Sequence, residues 1–95
     1  MNEAIRTYII GANRYGAEPL APGLHVVATP IGNLGDITIR ALSTLAAADV
    51  VLCEDTRTSG KLMERFAIRT RLSPYYEHNA QKVRPEILER LEQGA

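Results

Sequence analysis

A single cysteine, Cys53, stands among 95 residues. One thiol builds neither an intrachain disulfide framework nor a cysteine-rich zinc site, and a reducing cytosol is the simplest compartment for such a chain. Long apolar runs are missing as well. None approaches the ~18 residues of a membrane-spanning helix. The N-terminal MNEAIRTYIIGANRYG carries an early acid and only a brief apolar stretch, unlike a secretory signal. Neither sign of charge is in excess, because eleven Lys and Arg balance eleven Asp and Glu. A strongly basic nucleic-acid module is therefore not expected, although a local basic face stays open. There is no repeat period, no low-complexity tract and no metal-ligand spacing.

What is there reads as one small folded domain. Hydrophobic residues make up 45% and charged residues 23%, which argues against intrinsic disorder. Residues 1–23 are punctuated by Gly11, Gly16, Pro19, Pro22 and Gly23, with one apolar cluster at Tyr8, Ile9 and Ile10. They read as an N-terminal extension with weak structure of its own, the alternative being an edge strand at Arg6–Ile10.

From Leu24 to Ala95 the pattern tightens into a domain. Leu24–Thr29 (LHVVAT) is short, β-branched and closed by Pro30, as a buried strand should be. After a Gly-containing turn, Asp36 or Thr38 can cap a helix that carries Ile37, Ala41, Leu42, Leu45 and Ala46 on one stripe. Val50–Cys53 reads as a second buried strand. Thr58 or Ser59 can cap the next helix, with Leu62, Met63, Phe66 and Ala67 on one side. Arg71–Tyr76 reads as a third, weaker strand, because Pro74 removes a ladder donor. Val83, Ile87, Leu88 and Leu91 mark a last helix, with Pro85 expected in its first turn and Gly94 as its stop. The fold class is α/β, in the order β-α-β-α-β-α with a mainly parallel sheet. The chain ends where such a fold would next deliver a strand, and a fragment of a longer protein is expected.

In open parallel sheets, ligands bind beyond the carboxyl ends of the strands. Three loops qualify. Pro30–Gly35 offers two glycines and freed backbone amides before a helix start, which suits an anion or simply a tight turn. Glu54–Thr58 offers adjacent carboxylates that can accept bonds from hydroxyls, or serve as a helix-capping acid beside Arg57. Glu77–Gln81 offers His78, a group that titrates near neutrality or an ordinary polar loop residue, and Asn79, a candidate cap. Tyr75 and Tyr76, near Arg69 and Arg71, can stack on single-stranded RNA, although one of the two should pack inward. His25 and Cys53 read as structural.

Three segments read together go further: LHVVATPIGNLGDITIRALSTLAAADVVLCEDTR, SGKLMERF and YYEHN. They resemble the N-terminal domain of the bacterial small-subunit ribosomal RNA cytidine 2′-O-methyltransferases, a branch of the tetrapyrrole methylase superfamily. The resemblance covers about residues 24–95. It implies two α/β domains, of which this chain matches the first, S-adenosyl-L-methionine as cofactor in the cleft between them, and a homodimer. It also implies a cytoplasmic enzyme without a metal that methylates a ribose 2′-hydroxyl in ribosomal RNA or the small ribosomal subunit. Carried over by position, Thr29, Pro30, Gly32, Asn33 and Gly35 are expected at the cofactor. Glu54 or Asp55 is expected as the catalytic carboxylate, and Thr56, Arg57, His78 and Asn79 at the substrate. With one domain only, the isolated chain is expected to be inactive. A methylase of small tetrapyrrole-type substrates and a domain that only self-associates are the alternatives. The balanced charge places most RNA contact outside this chain.

Overall fold

The computed structural model describes residues 6–76 and 78–95. The elements run β1 (Thr7–Ile10), β2 (Asn13–Gly16), α1 (Ile39–Ala47), β3 (Val50–Cys53), α2 (Thr56–Arg65), β4 (Arg71–Pro74) and α3 (Ala80–Glu92), with a 3-10 turn at Leu34–Asp36 before α1. The class is α/β, but the strands divide between two small sheets. β1 and β2 form an antiparallel hairpin, and β3 and β4 form a parallel pair in the register Val50↔Arg71 to Cys53↔Pro74.

Two expectations fail here. The weakly structured extension is a hairpin across residues 7–16, so the edge-strand alternative is the one observed; the first five residues lie outside the described ones. A two-residue loop turns the chain, and Gly11 takes φ 60° there without the steric cost other residues meet. Tyr8 stacks on Tyr15 across the pair, with ring centroids 5.6 Å apart, and is buried against α1 and α2. The Ile9 amide donates to the Phe66 carbonyl at 2.7 Å. The second strand, Asn-Arg-Tyr-Gly, has no apolar alternation, which is why its pattern does not announce it.

The other failure is Leu24–Thr29, which forms no strand. It runs without a ladder partner among the described residues, and Val26 is 94% exposed. Propensity favours a strand here, but a strand exists only through hydrogen bonds to a neighbour.

The core follows the expected helical stripes except at Ile37, which precedes α1, and Ala67, which lies exposed beyond α2. Ala41, Leu42, Leu45 and Ala46 of α1 are buried and meet Leu62, Met63, Phe66 and Ile68 from α2 and its exit. Thr38, one of the two expected caps, accepts from the Ala41 amide at 3.0 Å. At α2 the cap is Asp55 rather than Thr58 or Ser59. That helix ends in a left-handed residue, Ala67 with φ 52°, where the Ile68 amide donates to the Met63 carbonyl at 2.8 Å and the Ala67 amide to Glu64 at 3.2 Å. This pair of bonds is a Schellman stop, usually made with glycine. Thr70, the buried polar residue, donates its hydroxyl to the Leu45 carbonyl at 2.7 Å and ties the end of α1 to the start of β4.

α3 starts earlier than expected. The Tyr76 carbonyl accepts from the Asn79 and Ala80 amides, nucleating the first turn upstream, so Pro85 falls in the second turn. Leu88, expected on the buried stripe, is exposed, whereas Val83, Ile87 and Leu91 are half-buried. Gly94 ends the helix as expected, with φ 97°.

Candidate functional site

Because β3 and β4 are parallel, their carboxyl ends lie at one sheet edge, and the second and third candidate loops leave from that edge. The Tyr75 amide donates to the Cys53 carbonyl at 2.8 Å and prolongs the ladder by one step beyond Pro74. Asn79 then folds the third loop back onto β4. Its Nδ2 donates to the Pro74 carbonyl at 2.9 Å, and its Oδ1 accepts from the Tyr76 amide at 2.7 Å. Asn79 holds the cap position of α3 as expected, but its side chain spends its bonds on this loop and leaves the helix end uncapped. His78 is exposed, with its ring edge-on to Tyr76 at 6.3 Å; Glu77 lies outside the described residues. Of the two tyrosines, Tyr75 is half-buried and accepts at its hydroxyl from Arg84 Nε at 3.1 Å, and Tyr76 is exposed.

The second loop is ordered by Asp55. Its Oδ1 accepts from the Arg57 amide at 2.9 Å and its Oδ2 from the Thr58 hydroxyl at 3.1 Å. The carboxylate thus satisfies a free backbone amide at the N-terminus of α2. The two donors also stabilise the ionised form: the Arg57 amide first, then the Thr58 hydroxyl, hold the Asp55 carboxyl below its usual range. A carboxylate with both oxygens engaged accepts a further proton poorly. Glu54, next along the chain, is exposed at the same rim.

In the first loop Gly32 has φ 93°, a left-handed conformation that explains glycine there. Asn33 caps the 3-10 turn, its Oδ1 accepting from the Gly35 amide at 3.0 Å. Both glycines thus serve turn geometry, and Gly35 closes that turn with its amide already bonded.

A cleft of about 830 Å³ joins the first two loops. Its floor is apolar, with Val50, Val51, Leu52, Leu62 and Met63 facing Ile87 and Leu91 of α3. Its rim carries Thr29, Pro30, Glu54, Asp55, Thr58 and Ser59. Small-molecule sites commonly span ~300–1,000 Å³ with this mixture of apolar wall and few polar groups. The fold thus brings Thr29 and Pro30 together with Glu54 and Asp55. Gly32, Asn33, Gly35, Thr56, Arg57, His78 and Asn79 lie outside the cleft lining. Thr58 closes the second candidate loop, but Ser59 on the rim, and Ile87 and Leu91 on the far wall, belong to none of the three loops; Ser59 was read only as a helix cap, and the stripe of α3 was the signal for Ile87 and Leu91. His25 bonds through Nε2 to the Ala21 carbonyl at 2.9 Å, a local structural contact.

An α/β domain with two polar loops leaving one edge of a parallel pair defines the class, and sequence comparison names it. Residues 23–94 match the family model described as Tetrapyrrole (Corrin/Porphyrin) Methylases, and the chain belongs to that family. Its similarity runs to particular members. It is 54% identical over 86 residues to the Ribosomal RNA small subunit methyltransferase I of Mesorhizobium japonicum, covering 90% of this chain and 29% of that protein. It is 54% identical over 74 residues to the protein of the same name from Erythrobacter litoralis, and 48% over 75 residues to that from Rickettsia prowazekii. Those matches cover 78% and 79% of this chain. The chain spans only 26% and 27% of these two relatives, less than a third of each protein it matches here.

Proposed function

We propose that this chain belongs to an S-adenosyl-L-methionine-dependent methyltransferase that acts on the 2′-hydroxyl of a cytidine ribose in small-subunit ribosomal RNA. The observation that carries the reading is the 54% identity, over 90% of the chain, with a protein named for small-subunit ribosomal RNA methylation. The setting is cytoplasmic, where ribosomal subunits are, and the whole enzyme is a homodimer. No described helix is long and apolar enough to cross a membrane.

The rim chemistry fits the cofactor. A carboxylate can accept from ribose hydroxyls, and the apolar floor beside it suits an adenine face. Thr29 and Pro30 would bound it on one side, with Glu54 on the other, while Gly32, Asn33 and Gly35 shape the turn beyond the lining. S-adenosyl-L-methionine bound there supplies an electrophilic methyl group. The protein's task is then alignment, because much of the acceleration comes from holding the 2′-oxygen in line with the methyl carbon. Glu54 takes the role of orienting the hydroxyl or receiving its proton, since the bonds to Asp55 oppose protonation there. Asp55 organises the loop, so that Thr56 and Arg57 meet the RNA from the first turn of α2. Arg57 would pair with a phosphate, and His78 and Asn79 would contact the substrate from the third loop.

The test is ribose-methylation mapping of small-subunit ribosomal RNA from a strain lacking the gene. One 2′-O-methylcytidine should disappear and return on complementation. An unchanged methylation map overturns the reading. Methyl transfer to a small tetrapyrrole by the purified protein would replace it with the small-molecule alternative. A purified full-length protein that self-associates but transfers no methyl group to small-subunit ribosomal RNA would replace it with a docking domain.

A further inference from the structure

The chain is neutral in total, but its charges are segregated. Residues 56–76, from the first residue of α2 to just past β4, hold five of the eleven bases and one of the eleven acids, a local charge of +4. Three of those bases, Arg57, Lys61 and Arg65, recur at every fourth residue of α2, and all three are exposed. We propose that this row is a track for the sugar-phosphate backbone of the ribosomal RNA whose ribose is presented at the cleft rim.

Helical geometry makes the row continuous. Residues four apart stand one above the other, each step rising ~6 Å, so the three cations form one ridge about 12 Å long. Leu62 and Met63, on the other side of the helix, are buried and fasten it to the core. The one acid within α2, Glu64, stands off the row, and an exposed neighbour pair with Lys61 is too weak to withdraw that charge. Arg65 has its guanidinium carbon 5.5 Å from the centroid of the Phe66 ring, which is itself part of the core. Stacking of this kind steadies a guanidinium plane and leaves its N–H edge free for an anion.

Topology aims the row at the site. α2 starts at the carboxyl end of β3 and returns the chain to the amino end of β4, the parallel neighbour. The row therefore begins at Arg57, two residues from Asp55 on the rim, and runs away toward the other end of the sheet. Evenly spaced cations in line suit a linear polyanion, and phosphates are contacted chiefly by Lys and Arg. The identity of the RNA rests on the methyltransferase reading; the affinity for a phosphate chain does not.

The test is the salt dependence of binding between the full-length protein and bare small-subunit ribosomal RNA, without a methyl donor. Each single-strand phosphate neutralised adds about 0.7 to the slope of log affinity against log salt. Lys61→Gln combined with Arg65→Gln should therefore flatten that slope by about 1.4 and weaken binding about tenfold at low salt. Lys82→Gln combined with Arg90→Gln, on α3 among Glu86, Glu89 and Glu92, should leave the slope unchanged. Lys61→Arg combined with Arg65→Lys keeps both charges and should keep the slope, which separates lost charge from lost packing on Phe66. A slope unaltered by the neutralised α2 pair, or altered equally by the α3 pair, overturns the track. Weaker binding to the assembled small subunit, with binding to its bare RNA unchanged, assigns the row to an acidic protein surface and overturns it too. No arm involves methyl transfer, so failure of the track leaves the methylation map intact. An unchanged map would leave the slope change intact, because any phosphate chain reports it.

Discussion

Residues 39–74 and residues 17–37 both carry bounded apolar runs, and those runs meet different fates. The first stretch interleaves α1, β3, α2 and β4, and each apolar stripe finds another to cover it. The second holds the sequence's best strand candidate, yet Leu24, Val26 and Ile31 face water. Composition already separates them, with six Gly or Pro among residues 17–37 against two among residues 39–74, and neighbours separate them further. β3 has a partner that returns to it through a short helix, whereas Leu24–Thr29 has no ladder partner among the described residues. A β-branched run specifies willingness to pair, and the ladder itself requires a second chain segment in register.

The sharpest way to test that contrast is to truncate one apolar side chain in each stretch. Leu42 is 1% exposed, and Leu42→Ala should cost about 2–5 kcal/mol of unfolding free energy through lost burial and the cavity left behind. Ile31→Ala should stay within about 0.5 kcal/mol, as surface changes do. Urea denaturation of both variants measures this, and comparable losses would erase the distinction. Next in size is Thr70→Val. It strips the hydroxyl from the Leu45 and Ala46 carbonyls and leaves buried acceptors unpaired, at about 1–3 kcal/mol in the same experiment. A smaller effect of opposite sign is expected at Ala67. Its φ of 52° strains any residue with a Cβ, so Ala67→Gly should stabilise the packed half by about 1 kcal/mol, read as a rise in melting temperature.

The smallest effect is a pH dependence at the rim between the two stretches. Asp55 is held below its usual range in the folded protein, so the unfolded chain binds that proton more readily. Its contribution is fully present above about pH 4 and is lost as pH falls through the lower folded value. Asp55→Asn keeps a capping side chain and removes the titration. Melting temperatures measured on acidification should therefore fall less steeply for the variant below about pH 4 and run parallel to the parent above it. Identical acid slopes would show that the Arg57 amide and Thr58 hydroxyl do not favour the ionised form.

Much of the packed half was legible. The stripe Ala41, Leu42, Leu45 and Ala46 needs only helical spacing, and Val50–Cys53 needs only a bounded apolar run. The Thr38 cap and the Gly94 stop carry their own chemistry in the residue type. The hairpin was obscured because Asn13–Gly16 pairs through its backbone, which any side chains permit. Asp55 displaced Thr58 and Ser59 as the cap because α2 begins at Thr56, one turn geometry earlier than its apolar stripe suggests. At the site, the second and third loops were readable from strand ends, whereas the first follows a segment that forms no strand. That Asp55 rather than Glu54 receives the capping hydrogen bonds was not readable, since two adjacent carboxylates look alike until one is seen receiving them.

From sequence come the α/β class, the helical faces, the kinship with the methylases and the three polar loops, because each is written in local periodicity or in residue identity. Tertiary structure decided which strands found partners, which carboxylate became a helix cap, and that Thr29 and Pro30 share a cleft with Glu54 and Asp55. Those outcomes depend on hydrogen bonds and packing between segments distant along the chain, and no local pattern encodes whether a distant partner is in place.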